Sequence, residues 1–446
     1  MSASKFILSQ FALMAVLGGT FASVSPVRAA DLGGNCCADL EERIAELEAT
    51  TARKGNRKVS LEISGHVNEA VLFWDDGSES NVGVYTNDNA RTRVRFKGEA
   101  KINGDWKAGY LMEWGIRSAN SKRFTQDDPK GEGAGEIDVR HNVWYINSKT
   151  FGRVWVGLTG GASEGVTETN LAATKDILKY SDIEDTGLGL NMVVGGVQSS
   201  TQWRRLIRGG GDQPGEGKRY NMVRYDTPEF AGFHATANWG EDDAWEVGLK
   251  YKGEFGDFKL AAAIAYGENS DVSSTNPAFQ CVGNNTAPLD ATISDTDCQQ
   301  LGGSISVMHS PTGIYVNFGA GYMEDDVIGQ DPGAAGIAGV VDDRSEFYAG
   351  EVGIEQKWSD LGKTTIFGQY YRNNGGSQDR SFNGGDIVSS ELTSYGAGVV
   401  QGIDAAAMHI YLTYRHYEAD VVSGAALNKV EVDDLDVVMG GAIIRF

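Results

Sequence analysis

Cysteine, histidine and proline are scarce in this chain, and long apolar runs are confined to its first thirty residues. Four cysteines are too few for a disulfide scaffold. Six histidines fall singly at positions 66, 141, 234, 309, 409 and 416. They offer no HxxxH spacing for a metal, and no G-x-S-x-G elbow supplies a nucleophile. The glycine-rich GGGDQPGEG follows no strand into a helix, which argues against a phosphate loop. No linker composition appears anywhere in 59–446, so no domain boundary is expected there. Beyond the N-terminus nothing approaches the ~20 apolar residues of a spanning helix. Bases are outnumbered, 39 against 61 acids, for a formal charge of −22. That balance argues against nucleic acid as a partner.

What the chain does have begins with a leader. Lys5, the apolar FILSQFALMAVLGG and Val27-Arg28-Ala29 read as an export signal over 1–29, removed on secretion. Export places the protein in an oxidising compartment. There Cys281 and Cys298, in one Gly/Asn/Thr-rich stretch, are expected to form a disulfide contributing about 3 kcal/mol. Adjacent Cys36 and Cys37 suit interchain or vicinal pairing, or stay reduced; no histidine lies near them to complete a zinc site. Residues 30–58 form a separate segment. Within it, CCADLEERIAELEATT sets Cys37, Leu40, Ile44, Leu47 and Thr51 at heptad a and d positions. Two heptads are too short to be stable alone. The segment is either a solvated periplasmic helical linker or a small coiled coil between chains joined elsewhere.

From Val59 the period changes to two and stays there. In NARTRVRFKGEAKI, residues 89–102, Arg91, Arg93, Arg95, Lys97 and Lys101 share one face, and Val94, Phe96 and Ile102 share the other. Trp106, Tyr110, Met112 and Trp114 then oppose Lys107, Glu113 and Arg117. Short turns recur at TPEFAG, GEFGD, HSPTG, WSDLG and GIDA. Longer polar connections are expected near 75–90, 118–135, 160–218, 268–300, 325–343, 374–390 and 420–430, with GEDD as an eighth link. Sixteen strands result, and an even number returns the last to the side of the first.

One closed sheet over 59–446 is more economical than stacked sandwiches. Its apolar face suits lipid: a base placed there costs about 2–4 kcal/mol at the bilayer midplane, so the bases face water. Closure pairs every backbone amide, as hydrocarbon requires. The fold class is therefore all-β, a 16-stranded antiparallel transmembrane β-barrel whose basic ladder lines a channel. LDVVMGGAIIRF ends it on Phe446, which resembles the terminal aromatic signal by which outer-membrane barrels are recognised for assembly.

The segment after the leader, FGRVWVGLTGGASEG, YNMVRYDTPEFAGF and the closing VVMGGAIIRF resemble the alphaproteobacterial general diffusion porins over nearly the whole mature chain. The resemblance implies a homotrimer in the Gram-negative outer membrane, among lipid and lipopolysaccharide. It also implies a third long loop folded into the lumen and passive diffusion of ions and small hydrophilic solutes. That loop follows the fifth strand and is the longest. Folded inward, it would set Glu164, Glu168, Asp176, Asp182, Glu184 and Asp185 against Arg91, Arg93, Arg95, Lys97, Lys107, Arg117 and Arg140. Arg204, Arg205 and Arg208, on the same loop, leave the sign of selectivity open. No cofactor, metal or catalysis is expected. A surface lipase would need a serine–histidine pair, for which His141 has the outward parity. The alternative function is structural: residues 36–58, with the basic ARKGNRK, tethering the outer membrane to peptidoglycan.

Overall fold

A computed structural model describes residues 58–207, 213–240, 243–270, 297–326, 341–382, 385–424 and 427–446. The expected leader, the heptad segment and Cys36, Cys37 and Cys281 lie outside the described residues. Sixteen staves form one antiparallel barrel: β1 (Glu62–Asp75), β2 (Arg93–Lys101), β3 (Trp106–Ile116), β4 (Ile137–Ser148), β5 (Gly152–Gly160), β6 (Arg219–Asp226), β7 (Phe233–Gly240) and β8 (Ala244–Phe255) make the first half. The second half is β9 (Phe258–Asn269), β10 (Cys298–His309), β11 (Ile314–Asp325), β12 (Arg344–Ser359), β13 (Gly362–Phe382), β14 (Gly385–Ile403), β15 (Met408–Ser423) and β16 (Leu435–Arg445). Each pairs with its neighbours in sequence. Closure comes from β1 against β16, in register from His66↔Arg445 to Asp75↔Asp436.

Alternation builds the wall. Exposed Val223, Val247, Leu249, Ile264, Ile305, Val316, Phe318 and Val352 stand outside, while their strand neighbours point in. The short turns are as tight as the sequence suggests. In HSPTG, Gly313 has φ of 67°, and a side chain there would meet the Glu355 carbonyl, so glycine is required.

Three connections differ from expectation. The 374–390 stretch is not a long loop: β13 and β14 continue to Phe382 and from Gly385, paired with register shifts after Gly375 and Ser377. Residues 75–90 contain a strand, Ser80–Thr86, paired to the upper part of β1. Below it β2 pairs with the lower part of β1, so the second stave is one strand broken at 87–92 by a turn, Asp88–Ala90, that is buried. A similar ribbon, Asn428–Glu431, extends β15.

Candidate permeation pathway

Loop 161–218 joins β5 to β6 and runs along the inner wall, its backbone bonded by strand side chains in turn. Ala162 N donates to Asn238 Oδ1 at 2.7 Å and Ser163 N to Glu246 Oε2 at 2.9 Å. Thr169 N and Leu171 N reach Ser304 and Ser306 of β10, and Ala173 N reaches Glu355 Oε2 of β12 at 2.9 Å. Gln369 then donates to the Leu178 carbonyl, Arg415 to that of Lys179, and Tyr417 to that of Ile183. The broken second stave closes the circuit. Asn87 donates to Ile177 O at 2.9 Å, and Asn89 accepts from Lys179 N at 2.8 Å while donating to Thr186.

Behind the loop the lumen is packed. Ile177, Leu178, Ile183, Leu188, Leu190, Trp203 and Leu206 form one apolar cluster with inward Leu72, Tyr315, Phe347, Tyr371, Leu392, Val437 and Met439. Burial of each such side chain contributes about 1.5–3 kcal/mol. On the other side of the loop, among the described residues, lies an open cavity of about 1090 Å³.

The cavity wall opposite the loop is built on three carboxylates, Glu113, Asp88 and Asp138. Glu113 of β3 is fully buried. Its Oε1 takes Arg140 Nε at 2.8 Å and Arg93 Nη1 at 3.4 Å, and its other oxygen takes Arg95 Nε at 2.7 Å. A bulge puts Arg140 there: Glu113 pairs with His141 but Trp114 with Val139, so Arg140 is the extra residue. The same bulge turns His141 inward, where its Nδ1 lies 3.0 Å from Thr159 Oγ1. The outward parity expected of His141 is therefore wrong, and with it the surface serine–histidine pair. Arg91 and Arg117 share Asp88, at 3.2 and 3.0 Å, and both also approach Asp138.

The loop's acids are matched from within. Lys179 Nζ lies 2.7 Å from Glu168 and 2.5 Å from Asp182. Arg445, the last residue but one, holds Asp176 at 2.7 Å, and Lys122 lies 3.3 Å from Glu184 and 3.4 Å from Asp185. Glu164 pairs with Arg219. Burial opposes ionisation of Glu164, but Arg219, His141 and Arg140 outweigh it and hold the carboxyl at about 2. Burial instead dominates at Asp185, pushed up to about 6 against Lys122, and at Glu216, raised further by Glu168 and Asp182.

The expected acids and bases share one lumen, and most of them are ion-paired locally, since pairing offsets the cost of holding an ion in a half-dry space. Of the expected bases, Arg91, Arg93, Arg117 and Arg140 line the cavity and Arg95 supports Glu113. Lys97 and Lys107 lie toward the short-turn end, with Lys107 on Glu99 at 3.0 Å. Among the expected acids, Glu164, Glu168, Asp176, Asp182 and Asp185 line it; Glu184 is buried beside Lys122. Arg204 and Arg205 face the cavity, and Arg208 is outside the described residues. Counted whole, the described lining has fourteen basic and nine acidic side chains, the reverse of the chain's balance. Glu113, Lys179, Arg219 and Lys250 also belong to the site; of these Glu113 alone carries a sequence signal, sharing the ladder's face. Cys298 is disulfide-bonded, and its expected partner Cys281 is outside the described residues.

A family model described as Gram-negative porin matches residues 15–427. No curated protein matches. Among solved structures, the anion-selective porin from Comamonas acidovorans is 15% identical, covering 87% of this chain and 100% of its own, with a TM-score of 0.53. In vitro folded OmpT, an outer membrane protein of Vibrio cholerae, is 13% identical, covering 88% and 99%, with a TM-score of 0.51. Its trimer form matches with a TM-score of 0.50 at 13% identity, covering 87% and 99%. At such identity these likenesses concern the fold alone.

Proposed function

The chain belongs to the Gram-negative porin family and forms an outer-membrane channel for passive diffusion, and we propose that this channel prefers anions. The observation that carries the preference is the lining, five bases in excess, with the loop's acids tied to Lys179, Arg445 and Lys122. Arg205 and Lys252 line the same cavity, and neither forms an ion pair among the described residues. A water-filled constriction of one dominant sign raises the local concentration of counter-ions. Permeation by this route needs no cofactor and no catalytic step.

The finer reading is an alphaproteobacterial general diffusion porin, exported with removal of residues 1–29 and assembled as a homotrimer. Glu69 supports the trimer. It stands on the outward parity of β1 and accepts hydroxyl bonds from Thr86, Thr92 and Ser118 at 2.9–3.2 Å. A polar spot on the outer wall is costly against lipid and is relieved when a neighbouring barrel covers it. Lipid and lipopolysaccharide surround the remaining wall.

Planar-bilayer recording in a KCl gradient tests the preference. The reversal potential should take the chloride sign, and Arg93→Glu or Arg140→Glu should each move it toward potassium. A wild-type channel reversing on the potassium side sinks the reading.

A further inference from the structure

We propose that Lys179 is a specificity-determining residue, an internal counter-ion that offsets the acidic edge of the inward loop. This rests on the anion reading above, but its test does not share that reading's fate. Glu168, Asp182 and Glu216 bring carboxylate oxygens within 4.8 Å of one another on the cavity side of the loop. Three oxygens so close are the donor set a divalent cation takes. The chain supplies its own cation instead. Lys179 reaches two of the three directly, and Asp185 and Glu216 act on it electrostatically. Burial opposes its charge, but Asp182 and Glu168 hold the ammonium pKa well above its ordinary value.

Position fixes it there. The Lys179 amide donates to Asn89 and its carbonyl accepts from Arg415, so the backbone is clamped between the broken stave and β15. A clamped backbone directs the side chain into the acid cluster rather than along the pore. All four groups, Glu168, Lys179, Asp182 and Glu216, face the cavity. With the ammonium in place, and Glu216 kept neutral by burial, the cluster retains a single net negative charge, and the arginine wall decides the sign. Without it, two or three carboxylates face permeating ions, and the lumen acquires the opposed walls that the sequence suggested.

The experiment compares wild type, Lys179→Met and Lys179→Arg as folded channels in planar bilayers. In a KCl gradient, Lys179→Met should cut the chloride-to-potassium permeability ratio at least threefold, more at pH 8 than at pH 5, because the freed carboxylates ionise as pH rises. Lys179→Arg should keep the wild-type ratio. Symmetric millimolar calcium should return Lys179→Met toward wild type, which no loss of packing would do. A Lys179→Met channel of native heat-modifiable mobility and unchanged ratio overturns the proposal, as does a reduced ratio that calcium leaves untouched. A potassium-preferring wild type would overturn the anion reading alone, since the test reads a difference between variants.

Discussion

At the scale of single residues, the site is governed by where a charge finds its partner. Glu113 holds three guanidiniums from two staves. Glu113→Gln keeps the shape and removes the charge, leaving Arg93, Arg95 and Arg140 to repel one another. Breaking a buried ionic cluster costs about 3 kcal/mol; urea unfolding in detergent should show a loss of that order, and the reversal potential should move further toward chloride. Asp185 supplies a pH dependence. Burial pushes its carboxyl up to about 6, so its charged form is the disfavoured one: it destabilises the fold as pH rises through that value, and protonation relieves this below it. As pH falls from 7 to 5 the lining loses a negative charge, and chloride preference should increase in the same bilayer measurement. Glu164, held at about 2, should contribute no change over that range.

At the scale of elements, the inward loop behaves as part of the wall. Tyr417 bonds the carbonyls of Ile183 at 3.1 Å and Thr186 at 2.5 Å from β15. Tyr417→Phe removes both for a cost of about 1–2 kcal/mol. Hydrogen exchange at residues 183–187 should quicken while protection of the staves persists; equal protection would mean the apolar cluster alone seats the loop. The sequence showed the staves because period-two alternation reports directly on a two-faced wall. It also placed the long loop after the fifth strand. Other features were not legible. The bulge at Arg140 shifts parity by one residue without a glycine or proline to mark it, and so period-two alternation puts His141 on the wrong face. The break at 87–92 lies in a stretch whose composition reads equally as loop. Partners such as Lys179 with Glu168 depend on how the loop coils, which no local pattern encodes.

At the scale of the whole molecule, lipid and lumen impose different costs on one chain. Ile264, midway along β9, is exposed on the outer wall, whereas Ala261 on the same strand lines the cavity. Ile264→Arg should lose about 2–4 kcal/mol in folding into vesicles, by urea titration of intrinsic fluorescence. Ala261→Arg should lose less and should raise chloride permeability. Equal losses at both positions would contradict the sidedness of the wall. The inner face is less uniform than alternation suggests: β16 buries Leu435, Val437, Met439 and Ile443 inward, so its two faces are both apolar and the strand gives no clue to which one meets hydrocarbon.

The seat of the inward loop is completed only by the far end of the chain. Arg445 holds Asp176, and Val437 and Met439 cover the loop's apolar side, yet these residues emerge more than two hundred positions after it. A barrel still waiting for its final strand therefore has no finished filter. Such an intermediate would leak indiscriminately if it opened to both compartments, and joining the seam is the same event that confers discrimination.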